Sequence, residues 1–205
     1  MFVKICGLKT PESVAAAVDA GADAIGFVFA PNGPRTTDPE SVAQLVTGLP
    51  GSVETVGVFR NQPIDEVLDV ARRARVQTIQ LHGAETLADL AAVKHAGFGV
   101  LRAFSAEGYT QLPVQERTLW DQERLLLDAV EPGAGQTFDT ALLRDDSPAG
   151  FWLLAGGLTP QNVATLAATL QPAGVDVSSG VESARGVKDV GLIRAFVAAA
   201  KSAAA

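Results

Sequence analysis

The chain has 205 residues, 16 Lys+Arg against 23 Asp+Glu, and a formal net charge of −7. That length fits one domain with a sizeable core, and an acidic balance without any basic run argues against nucleic acid as a partner. The single cysteine, Cys6, excludes an internal disulfide and argues against a zinc site built from thiolates. A cytoplasmic location is expected. The first residues hold no apolar stretch of signal-peptide length, and no segment reaches the roughly 20 apolar residues that span a bilayer, so no membrane partner is expected.

In chain order, short apolar and β-branched runs alternate with longer stretches of helical period, the pattern of parallel βα units. The strands are predicted at residues 2–6, 24–29, 53–59, 78–81, 99–103, 124–127, 151–155 and 174–177. Helix starts are marked by Thr10-Pro11-Glu12, Asp38-Pro39-Glu40, Gln62-Pro63-Ile64-Asp65 and Thr159-Pro160-Gln161, with Pro predicted in the first turn. Between residues 105 and 122 the periodicity is poor, which predicts a long loop with one short helix. Eight βα units favour a closed (β/α)8 TIM barrel over an open doubly wound sheet, and the whole chain, residues 1–205, is expected to form it as one domain. The glycine fingerprint of dinucleotide binding is absent: Gly133-Ala134-Gly135 has no third glycine and follows the sixth strand.

In such a barrel the reactive residues belong at the C-terminal ends of the strands. Cys6 ends strand 1, Arg35 follows strand 2, His82 ends strand 4, Asp128 ends strand 6, Gly156-Gly157 ends strand 7 and Ser178-Ser179-Gly180 ends strand 8. The small residues of the last two loops let backbone N–H groups approach an anion, which predicts a phosphate cradle of Gly156, Gly157, Ser178, Ser179 and Gly180. On the glycines alone, tight turns are the competing explanation.

These residues resemble the phosphoribosylanthranilate isomerase family of tryptophan biosynthesis. The matching runs are Lys4-Ile5-Cys6-Gly7-Leu8, Gly26-Phe27-Val28-Phe29 followed by Pro34-Arg35, Val56-Gly57-Val58-Phe59, and Gln80-Leu81-His82-Gly83. They continue with Leu125-Leu126-Leu127-Asp128, Thr137-Phe138-Asp139, Ala155-Gly156-Gly157-Leu158, and Asp176-Val177-Ser178-Ser179-Gly180-Val181-Glu182, with Lys188-Asp189 close behind. The sequence departs from the family pattern at Gln136, where Lys is usual, at Thr140, where Trp is usual, and at Asn32-Gly33, where Lys-Ser is common.

The resemblance implies an Amadori rearrangement without a cofactor or metal, on a small phosphorylated substrate, N-(5-phosphoribosyl)anthranilate, by a monomer or homodimer. It implies Cys6 as general base and Asp128 as general acid. Asp128 is then expected to have a raised pKa, and Cys6 to need a nearby positive charge or helix N-terminus that favours thiolate. Lys4 is a poor candidate for that charge, because it alternates to the same strand face as Cys6 but deeper. Without the family context, Cys6 reads as a small buried hydrophobe and Asp128 as a loop cap.

Arg35 is expected to pair its fork with the anthranilate carboxylate. His82 lines the pocket or is satisfied at the barrel rim, and Asp176 points to the ribose or organises its loop. His95 falls in a helix away from the site. The loop around Gly133-Ala134-Gly135 is expected to close over the ligand. A sugar isomerase of histidine biosynthesis, or an enzyme serving both pathways, would carry a carboxylate in place of Cys6. A Schiff-base aldolase would need a Lys at a strand end. A ligand-binding protein without catalysis would need only the cradle.

Overall fold

The structure, a computed structural model, describes residues 1–128, 141–144 and 146–203. Eight parallel strands close into a barrel: β1 (Phe2–Cys6), β2 (Ala24–Val28), β3 (Glu54–Phe59), β4 (Thr78–Leu81), β5 (Gly99–Ser105), β6 (Leu125–Asp128), β7 (Trp152–Ala155) and β8 (Gly174–Val177). Helices α1 (Pro11–Asp19), α2 (Pro39–Leu45), α3 (Ile64–Ala74) and α4 (Leu87–His95) follow the first four strands. Next come α5 (Ala106–Thr110), α6 (Val114–Trp120), α7 (Ala141–Arg144), α8 (Val163–Leu170) and α9 (Val190–Ser202). The ring is sealed where the first strand pairs with the last, Lys4 opposite Asp176 and Ile5 opposite Val177.

Both faces of each strand are covered, so the strands need not alternate apolar with polar residues. In β6, Leu125 and Leu127 pack outward into the layer shared with the helices, while Leu126 points into the barrel with Leu101, Ala103, Leu153 and Ala155. Each fully buried leucine contributes about 1.5–3 kcal/mol by leaving water. The barrel interior is not wholly apolar: Lys4, Gln80, Thr78 and Asp176 are all buried.

The predicted strands are all present, with ends displaced by at most two residues. The region from 105 to 122 differs from the expected long loop. It holds two helices, the first capped by the Ser105 hydroxyl, which accepts from Gly108 N at 3.0 Å, and the second beginning after Pro113. Their apolar period is short and interrupted by Pro113, yet Tyr109 and Trp120 are buried and anchor them. Pro11 and Pro39 do open their helices, behind caps from Thr10 and Asp38. Pro63 instead occupies the cap position of α3, and Pro160 lies in the turn before α8.

A small antiparallel hairpin after β8, β9 (Glu182–Ala184) and β10 (Val187–Lys188), was not expected from the sequence. No helix among the described residues is long and apolar enough to cross a membrane. The Gly133-Ala134-Gly135 loop and positions 136 to 140, with the Gln136 and Thr140 departures, lie outside the described residues.

Candidate active site

The C-terminal rim of the barrel carries the residues expected there. Cys6 ends β1 beside Gly26 of β2, and Gly26 O accepts from both Gly7 N (2.8 Å) and Leu8 N (3.1 Å) as the chain turns out of the strand. Gly7 has φ +78°, and a Cβ there would lie 2.7 Å from Arg35 Cδ and 3.1 Å from Ser178 Oγ. The missing side chain therefore lets the loops after β1, β2 and β8 converge next to Cys6.

Arg35 makes a bidentate pair in this structure, but with a protein carboxylate. Its Nε donates to Glu182 Oε1 at 2.6 Å and its Nη2 to Glu182 Oε2 at 2.9 Å. Gly186 N donates to the same carboxylate at 3.0 Å and Lys188 Nζ at 2.9 Å. Burial opposes ionisation of Glu182, yet Arg35, Gly186 and Lys188 outweigh it and hold its pKa at about 2. The hairpin thus clamps Arg35 along the edge that carries Nε and Nη2. Lys188 also donates to Ser178 O at 2.7 Å and Ser178 Oγ at 3.2 Å, tying the hairpin to the loop after β8.

Gly156 and Gly157 both have positive φ, +89° and +61°. The Gly157 carbonyl accepts from Asn162 Nδ2 at 3.0 Å, and Asn162 Oδ1 accepts from Thr159 N at 2.8 Å, bracing the loop after β7. A Cβ at Gly180 would collide with the Leu158 carbonyl, so the loops after β7 and β8 touch at that point. Ser178, Ser179 and Gly180 run into a 3-10 turn, Ser179–Val181, alongside. These five residues occupy adjacent loops.

Across the mouth, Asp128 ends β6 with its side chain 27% exposed, and His82 Nε2 lies 4.0 Å from Asp128 Oδ2. Gln80 Nε2 donates to His82 Nδ1 at 2.9 Å, which leaves the ring proton on Nε2, facing Asp128. Burial pushes His82 down to about 4.

Asp176 lies on β8, across the barrel seam from Lys4. It is buried and accepts from Lys4 Nζ at 2.8 Å, one strand over. Lys4, discounted from the sequence as too deep, has its ammonium beside the Cys6 sulfur, both flanking Gly26. Burial pushes the Cys6 thiol up, Lys4 and Lys188 pull it back, and Asp176 adds to the rise. Sequence reasoning missed Lys4, Gln80, Glu182 and Lys188 as site residues. Strand alternation does put Lys4 and Gln80 on the inner face, but a charged or amide side chain there carries no period that reveals its partner.

The family model described as N-(5'-phosphoribosyl)anthranilate (PRA) isomerase matches residues 3–199. N-(5'-phosphoribosyl)anthranilate isomerase from Paracoccus denitrificans is 46% identical, covering 97% of this chain and 96% of its own. The crystal structure of TrpF from Jonesia denitrificans is 44% identical with a TM-score of 0.88, covering 100% of this chain and 98% of its own. A phosphoribosyl anthranilate isomerase solved with reduced 1-(o-carboxyphenylamino)-1-deoxyribulose 5-phosphate is 35% identical, TM-score 0.83, covering 98% and 99%. The chain belongs to the N-(5'-phosphoribosyl)anthranilate isomerase family.

Proposed function

We propose that Cys6 and Asp128 share the proton transfers of the family's reaction, with the phosphate held by Gly156, Gly157, Ser178, Ser179 and Gly180. The reaction is the isomerisation of N-(5-phosphoribosyl)anthranilate to 1-(2-carboxyphenylamino)-1-deoxyribulose 5-phosphate, in tryptophan biosynthesis, and it is the activity of this chain. Asp128 gives a proton to the furanose ring oxygen as the bond from C1 to that oxygen breaks and the anilino nitrogen pushes in to form a Schiff base. Cys6, as thiolate, then takes the C2 proton. The resulting enolamine tautomerises to the ketone without a cofactor.

The observation that carries this reading is the division of the rim: a thiol on β1 and a carboxyl on β6 flank one opening, and the small-residue loops lie after β7 and β8. A neutral His82 beside Asp128 supports the acid, since an imidazolium there would favour the carboxylate. His82 lines the substrate and can donate Nε2–H to it. Arg35 meets the anthranilate carboxylate with the guanidinium edge that Glu182 leaves open. Asp176 acts on the substrate from beneath, through its hold on Lys4. A cytoplasmic setting goes with this biosynthetic role.

Steady-state kinetics of Cys6→Ser and Asp128→Asn test the pair. Each is expected to lose kcat with little change in KM; near wild-type kcat in either removes that residue from its role. Assays of the wild-type enzyme with the anthranilate substrate and with the phosphoribosyl substrate of histidine biosynthesis test specificity. Comparable turnover of the second would show that a thiol base does not confine the chain to one pathway.

A further inference from the structure

The interior of the barrel holds a titratable group that the proton transfers above do not use. Lys4 is completely buried, with its Nζ 2.8 Å from Asp176 Oδ1. An ammonium carries three protons, and a buried one must place them all. The carboxylate takes one. The Cys6 sulfur lies beside the same ammonium: a Cβ at Gly26 would stand 3.0 Å from Cys6 Sγ and 3.3 Å from Lys4 Nζ, so both atoms flank the same empty face of Gly26. Any side chain at position 26 would press between them.

We propose that Lys4 is the positioning residue that readies Cys6 as a base, its ammonium anchored by Asp176 and directed at the sulfur. The inference rests on the general-base role of Cys6. Lys4 stays an ammonium throughout: the sulfur carries negative charge before it takes the C2 proton and none afterwards, and the fixed positive charge stabilises the first of these states.

The charged groups around the sulfur are Lys4 on β1, Asp176 on β8, Lys188 on β10 and Arg35 in the loop after β2. Of the cations, Lys188 has its protons committed to Ser178 O, Ser178 Oγ and Glu182, and Arg35 is forked onto Glu182. Lys4 is the cation whose ammonium flanks the open face of Gly26 together with the sulfur. Its pull on the thiol is also the largest of those opposing burial.

The test reads Cys6 without substrate. It is the only cysteine, so thiolate ultraviolet absorbance and the pH dependence of alkylation by iodoacetamide report on it alone. The only tyrosine, Tyr109, is pushed above its ordinary range by burial and its bond to Asp121, out of the way of the titration. Lys4→Met is expected to raise the Cys6 midpoint by about one pH unit or more, a ~10-fold loss of thiolate at a fixed neutral pH, with kcat/KM falling in parallel and recovering as pH rises. An unchanged midpoint overturns the proposal.

Because Lys4→Met strands the Asp176 carboxylate and can unfold the barrel, two further variants keep the test decisive. Lys4→Met/Asp176→Asn removes both charges, and its midpoint is expected between those of the wild type and the single variant. Gly26→Ala keeps both charges and separates them from the sulfur by a methyl group, and is expected to raise the midpoint as well. A midpoint at or below the wild-type value in a folded variant overturns the proposal. If Cys6→Ser retains wild-type kcat, the general-base reading fails separately, because the thiol titration does not depend on turnover.

Discussion

The two ends of the barrel treat charge differently. At the floor, Arg124 forks onto Glu54 at 2.7 and 2.9 Å, the Thr78 hydroxyl donates to the same carboxylate, and the guanidinium stacks between Phe151 and Phe2, 5.1 and 5.7 Å from their ring centres. One cation meets one anion, and the pair crosses the barrel from β3 to the start of β6. At the mouth, three cations, Lys4, Arg35 and Lys188, surround Cys6 with two carboxylates, Asp176 and Glu182. The floor is closed electrostatically. Around Cys6 the described cations outnumber the described carboxylates, which favours a further negative charge there, whether thiolate or substrate anion, and the floor has no such excess.

The sharpest way to break this comparison is to remove chemistry from the mouth alone. Cys6→Ser and Asp128→Asn are expected to lower kcat by about 10²–10⁴ while the melting temperature barely moves. The converse variant, Arg124→Met at the floor, strands the Glu54 carboxylate, which is only partly buried, and is expected to cost about 2 kcal/mol of stability. Denaturant unfolding should show that loss, and kcat per folded molecule should be unchanged. A fall in kcat there would mean that floor and mouth are coupled.

Arg35→Lys keeps the charge at the mouth but loses the planar fork, and is expected to raise KM about 10-fold, with a smaller effect on kcat. Equal KM values in the two enzymes would remove the carboxylate contact. The smallest effect is one of pH. Folding lowers His82 from its ordinary 6.5 to about 4, so between those values the unfolded chain binds a proton that the folded chain does not. Stability is therefore full above pH 6.5 and declines as the pH falls toward 4. About a third of the side chain reaches solvent, which keeps the effect modest. His82→Asn is expected to flatten that part of the stability curve, and an unaltered slope would assign it to other groups.

Much of the fold was legible because parallel strands covered on both faces are written as short β-branched runs, and the eight runs lie in order. The strand ends put Cys6, His82 and Asp128 on one rim, but the roles proposed for Cys6 and Asp128 came from the family resemblance, since alone they read as a buried hydrophobe and a loop cap. What was hidden has a common cause. Lys4 lies below the rim and matters through the reach of a four-carbon stem, which strand alternation does not report. Glu182 and Lys188 matter because a hairpin after β8 folds back on Arg35, and its residues carry no periodic signal. The helices α5 and α6 were obscured by their brevity, since two short segments around Pro113 cannot show a full apolar period.

The seam of the barrel has a consequence for how activity develops during folding. Cys6 and Lys4 belong to the first strand, whereas Asp176 and the Ser178 loop belong to the last, with Lys4 and Asp176 172 positions apart. The corner proposed to ready Cys6 therefore does not exist in a chain whose eighth strand has yet to dock. Recovery of turnover after refolding is a clock for ring closure, and it should lag behind any signal that reports only the burial of helices against individual strands.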